Sequence, residues 1–298
     1  MLRSFTARFA LVLLAGIIAA IIFAPLAAAA VSAAGWHYPF PRIFDRTVMV
    51  SMLIVMLFAA RDLNLMSLLR RGFSRPPQSS IVRGLRGFVV AMIAIAILFG
   101  LAFAVGGGGI GDHKAAVALI PKYFLSAIAI AFIEEAFFRA FLLRGMSNDF
   151  GDRIALIASA AIYAVAHLVR SPARFYVTGY VPTAGLMTLA HSVDQFSTPA
   201  IAIPTLIGLF LLGFVLGEAY ILTGSVYFSI GLHCGFVLGA KLWPKIMLNR
   251  AAIPWWIAGG GAIPLIAAPT AWLIAMVIFL TLRQITGASR TTDLEVVS

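Results

Sequence analysis

Two adjacent glutamates interrupt an apolar run that reads Ala129-Ile130-Ala131-Phe132-Ile133-Glu134-Glu135-Ala136-Phe137-Phe138-Arg139-Ala140-Phe141-Leu142-Leu143. Carboxylates at membrane depth are expensive and mark function by default. Successive helical residues are ~100° apart, so Glu135 and Arg139 share a face one turn apart, in the favourable order for an ion pair. Glu134 projects ~140° away from Arg139 by the same arithmetic and needs another partner. The two acids are therefore expected to differ: Glu135 neutralised, Glu134 available for chemistry. A static Glu-Arg-Glu network that only locks helices together would not require the second acid. Two histidines lie in later apolar segments. His167 follows Tyr163 by one turn in Tyr163-Ala164-Val165-Ala166-His167, and His233 sits between Gly231 and Gly235. A lone histidine on an apolar helix is ordinarily a satisfied core residue, but a Glu–His pair around one water is a general-base arrangement. Gly231 and Gly235 permit close helix approach or room for a substrate backbone.

The elements that must position these residues are membrane helices. Of 298 residues, 62% are hydrophobic and 11% charged, against about 25% charged in soluble domains. Mean hydropathy is +1.01. Apolar segments recur at roughly 9–34, 47–69, 87–106, 115–144, 153–169, 201–222, 225–243 and 262–282. With backbone groups satisfied internally in lipid, this predicts an all-α bundle of about eight transmembrane helices, read as one membrane domain over 1–298 with a loose polar tail at 284–298. The breaks are Pro76-Pro77, Gly106 to Gly109, Gly145 with Asn148-Asp149, and Gly259 to Gly261. Arg3 and Arg8 precede the first run, which exceeds a signal-peptide core in length and is expected to remain as a helix.

The net charge of +11 fits basic loops and anionic headgroups. No basic groove with interleaved aromatics accompanies it, so nucleic acid is not an expected partner. Arg61, Arg70, Arg71, Arg75, Arg83 and Arg86 crowd one loop against Asp62. That loop is expected to be cytoplasmic, with both termini on the same side. Cys234 is the single cysteine, which leaves no intrachain disulfide and no thiolate metal cluster. Residues 171–200, with Arg174, Tyr176, Tyr180, His191 and Asp194, read as a lid or as an amphipathic surface segment. Gly213-Phe214-Val215-Leu216-Gly217 is a small-xxx-small packing pattern. Glu218 stands near a helix end, where snorkelling is expected. His37 and His113 fall near loops and carry no expected role.

Glu134-Glu135-xxx-Arg139, then Tyr163-xxx-His167, then Thr223-Gly224-Ser225 through to His233, occur in order. Over residues 115–243 this set resembles the CAAX-protease and bacteriocin-processing (CPBP) family of intramembrane endopeptidases, which includes the Ras-converting prenyl-protein proteases. The resemblance implies that Glu134 and His167 activate a water and that His233 stabilises the oxyanion, with Glu135, Arg139 and Tyr163 supporting. The family often places an asparagine one turn after the second histidine. Here that position is Val237, expected to face the same cavity. No cofactor is required by this reading. Glu134, His167 and His233 could in principle be three zinc ligands, although no HExxH spacing occurs in the chain. The implied partners are a protein or peptide substrate and the lipid bilayer. Two other classes fit parts of the pattern. Val237 favours a non-catalytic partner or chaperone retaining the fold. A proton-relay transporter would predict an inverted repeat, which the sequence does not display.

Overall fold

The computed structural model describes residues 4–74, 77–107, 113–169, 171, 174–247, 249–260 and 265–295. Arg75, Pro76, Gly108, Gly109 and Gly261, among the residues read above as loop charge or helix breaks, lie outside them. The chain forms α1 (Phe5–Ala33), α2 (Phe40–Phe58), α3 (Leu65–Gly72), α4 (Pro77–Ala102), α5 (His113–Glu135), a π-helical stretch (Ala136–Leu143), α6 (Arg144–Leu168), α7 (Ala184–His191), α8 (Pro199–Thr223), α9 (Tyr227–Ile246), α10 (Trp255–Ala258) and α11 (Pro269–Glu295). It is a helical membrane bundle, with no strand among the described residues. Among the described residues four stretches are long and apolar enough to cross a bilayer: Phe5–Ala33, Gln78–Gly107, Val117–Leu168 and Pro199–Thr223.

Three boundaries differ from expectation. The second helix starts at Phe40 rather than 47, because prolines at 39 and 41 suit a helix start. Its first turns carry Arg42, Asp45 and Arg46, which hid it from a hydropathy reading. The expected stop at Gly145 and Asn148-Asp149 does not occur. Helix continues to a kink at Gly151, where φ is 76° and only glycine is unstrained. The segment from 284, expected to be loose, is helical to Glu295.

The chain divides into two compact units. The first comprises Met1–Ser67 and Val165–Ala202. Here small residues of α1 (Ala20, Ala24, Ala28) pack on Phe40, Phe44 and Ala184. The Phe40 N–H donates to the Phe175 carbonyl at 2.8 Å. Within residues 171–200, α7 lies against the α1 backbone at Gly185 and Ile21, and exposed His191 pairs with Asp194 at 2.7 Å.

The second unit comprises Leu68–Ala164 and Ile203–Ser298. Its central contact is α4 on α9. A Cβ on Gly231 would overlap the Gly84 carbonyl, and one on Gly87 would overlap the Phe228 carbonyl. The backbones therefore touch, as small-residue stripes allow in membranes. Gly235 and Gly239 extend the stripe onto Ala91 and Ile95. The other face of α9 meets α5, through Cys234, Leu238 and Leu242 against Ala127 and Ala131. Gly213 and Gly217 of α8 seat Tyr163 and Leu156 of α6, the packing use expected of that pattern.

Candidate active site

Glu134 and Glu135 end α5, and the chain widens into π-helix at the next residue. Single π-helical stretches within α-helices recur at functional sites. Glu135 is fully buried, and Arg139 is too; Arg139 Nε lies 3.2 Å from Glu135 Oε2. The pair is an ion pair rather than an aligned hydrogen bond, since no guanidinium nitrogen of Arg139 finds a hydrogen-bond partner among the described residues. The cation lies instead over aromatic faces, 5.3 Å from the Tyr163 ring centre and 5.9 Å from that of Phe138. Cation–π attraction is strongest in such dry surroundings.

The other oxygen of Glu135 holds the catalytic candidate. Glu135 Oε1 is 2.9 Å from His233 Nδ1. An ionised carboxylate only accepts, so Nδ1 carries the hydrogen. That bond orients the ring and turns Nε2 toward Glu134, whose Oε2 is 3.8 Å away. His233 is buried, while the Glu134 side chain retains 26% exposure. Tyr163 is buried with its hydroxyl beside the Glu134 carboxylate and meets the His233 ring edge-on at 6.3 Å. Arg139, Glu135, His233 and Glu134 thus form a continuous polar chain, bracketed by Tyr163.

Of the residues expected from sequence, Glu134, Glu135, Arg139, Tyr163 and His233 converge. The distinction between the two acids holds in burial: Glu135 is enclosed with two partners, Glu134 partly open. His167 is half-buried, one turn beyond Tyr163 on α6, and belongs to the first unit. Among the described residues no three His, Cys, Asp or Glu side chains gather as a metal-binding group.

Two expectations are corrected. Val237 is half-buried against its neighbours rather than wholly turned to a cavity. It packs on the apolar cluster of Ala127, Ala131, Cys234, Leu238 and Leu242, because α5 lies close along that face of α9. Glu218 does not snorkel. It is buried and pairs with Arg283 of α11 at 3.0 Å, since α11 brings a cation to it. The Glu135–His233 bond was absent from the sequence reading. Its signal was available: one Arg139 contact leaves a second carboxylate oxygen, and a working histidine needs its other nitrogen held.

Residues 116–239 match the family model described as type II CAAX prenyl endopeptidase Rce1-like. No curated protein and no solved structure matches the chain.

Proposed function

We propose, from the match of residues 116–239 to the Rce1-like type II CAAX prenyl endopeptidase family model, that the chain is an intramembrane endopeptidase hydrolysing a peptide bond of a membrane-associated protein or peptide by an activated water. The observation that carries the proposal is the charge relay of Arg139, Glu135, His233 and Glu134 inside an apolar bundle. Two atoms 3.8 Å apart can each hydrogen-bond one shared oxygen, and Glu134 Oε2 and His233 Nε2 are so placed. In the proposed reaction that oxygen is the water's. Glu134 takes a water proton as the oxygen adds to the substrate carbonyl carbon, and the carbonyl electron pair moves onto its oxygen. The imidazolium N–H of His233 at Nε2 donates to this oxyanion. Glu134 then delivers its proton to the amide nitrogen as the C–N bond breaks, leaving a carboxylic acid and an amine. General-base catalysis contributes about 10²–10⁴ in rate, and one oxyanion donor about 10²–10³.

Glu135 and Arg139 position His233 in this scheme, and Tyr163 positions Glu134. The family resemblance adds His167 as a second water-activating residue. A non-catalytic partner is favoured by one observation, the apolar packing of Val237 where the family often has an amide donor. The two readings separate in cells. Comparing membrane peptides with a wild-type copy and a Glu134→Gln copy, the protease reading expects new peptide termini that require Glu134. Biological function that survives Glu134→Ala with no altered termini contradicts it.

A further inference from the structure

The first unit holds a groove of about 540 Å³ between α1 and α2, far larger than a water site. It is lined on one side by Phe23, Ala27 and Val31, and on the other by Ile43, Thr47 and Val50. Arg42 and Arg46 open into it, one turn apart and so on one face of α2. Trp36 and Tyr38, in the connection between the helices, close its end. The groove is therefore graded. Phe23 to Val31, and Val50 back to Arg42, each span eight residue steps, or about 12 Å of helix at 1.5 Å per residue. The end near the connection carries two cations and two aromatic rings, and the far end carries only hydrocarbon.

Among the described residues neither guanidinium is neutralised. Arg42 lies over the Tyr38 ring at 5.5 Å, and Arg46 Nη1 reaches only the Met49 sulfur at 3.6 Å. Among the described residues neither has a carboxylate within ion-pair distance. Asp45 lies between them in sequence but does not line the groove. The Thr47 hydroxyl is already donated to the Ile43 carbonyl at 3.0 Å. Arginine forks match phosphate oxygens, and aromatic rings sit at headgroup level.

We propose that this groove between α1 and α2 binds an anionic phospholipid, its phosphate held by Arg42 and Arg46 and one acyl chain lying along Phe23, Ala27 and Val50. A zwitterionic lipid offers the same phosphate but brings a cation to a site that already has two. A free phosphate leaves the apolar length uncovered. The site lies wholly in the first unit and is independent of the endopeptidase reading.

The test is native mass spectrometry of the full chain released from nanodiscs containing equal phosphatidylglycerol and phosphatidylcholine. The wild type is expected to retain phosphatidylglycerol preferentially. Each arginine near a headgroup is worth about five-fold, so Arg42→Gln with Arg46→Gln should reduce the preference by about 25-fold. Exposed Arg61 and Arg70 serve as the charge-matched control, and Arg61→Gln with Arg70→Gln should leave it intact. Arg42→Lys with Arg46→Lys, which keeps both charges, should lose less than the glutamine pair and guards against loss through misfolding. Inorganic phosphate at millimolar concentration should not displace the lipid. Equal retention of both lipids, an unchanged preference in the glutamine pair, an equal loss in the control pair, or displacement by inorganic phosphate would each overturn the proposal.

Discussion

Glu134 and Glu135 are neighbours in sequence with opposite surroundings. Glu135 is enclosed between a cation and an imidazole, while Glu134 is partly open and held by Tyr163. Their amide variants should therefore fail differently. Glu134→Gln removes the proton acceptor and little packing. Turnover should drop by at least about 10²-fold, with thermal stability in detergent close to wild type. Glu135→Gln leaves Arg139 buried without its counter-charge, and breaking a buried pair costs about 3–5 kcal/mol. A lowered melting temperature, measured beside turnover, distinguishes the two. Tyr163→Phe deletes only the hydroxyl on Glu134. Stability should hold within about 1.5 kcal/mol, the size of one net hydrogen bond, while turnover falls because the carboxylate is no longer aimed. If Tyr163→Phe matches wild type in both readouts, the hydroxyl has no positioning role.

Helix α9 carries His233 and also makes the tightest helix contact in its unit. Gly231 lies two residues before the histidine, against the Gly84 carbonyl. Gly231→Leu should separate α9 from α4, lower the melting temperature and move His233 off Glu135, so activity and stability fall together. Val237→Asn places an amide among Ala127, Ala131 and Leu238. Burying it unpaired costs roughly 1–3 kcal/mol, so thermal melts should record destabilisation rather than a gain in activity. The contrast shows what periodicity could tell. Spacing placed Glu135 over Arg139 and identified Gly231 and Gly235 as contact residues, because both follow from one helix's geometry. It could not tell which helix faces Val237, nor that α11 supplies Arg283 to Glu218, because those depend on neighbours distant in sequence. The π-helical stretch after Glu135 was also illegible. Nothing in Ala136 to Leu143, an apolar run broken by Arg139, distinguishes it from ordinary helix. Gly151 signalled a break that the polar residues around Asn148 had drawn too early.

For the whole chain, the helical membrane bundle was legible from hydropathy and breaks, but among the described residues four stretches, not eight, are long and apolar enough to span. We propose the orientation from charge: Arg61, Arg70, Arg71, Arg83 and Arg86 would place their loop in the cytoplasm by the positive-inside bias. Single cysteines introduced at Ser74 and at Gly35, in a Cys234→Ala background, should be labelled from the inside and the outside respectively by a membrane-impermeant thiol reagent. The reverse pattern would invert the topology. The central claim, that Glu134 activates a water for peptide-bond hydrolysis while His233 stabilises the oxyanion, is tested most directly with purified protein in nanodiscs, membrane peptides including a prenylated one, and ¹⁸O-labelled water. Mass spectrometry of the products should find a new carboxylate carrying one labelled oxygen in the wild type, and no product above background with Glu134→Gln. Product formed by Glu134→Gln at the wild-type rate would contradict the account.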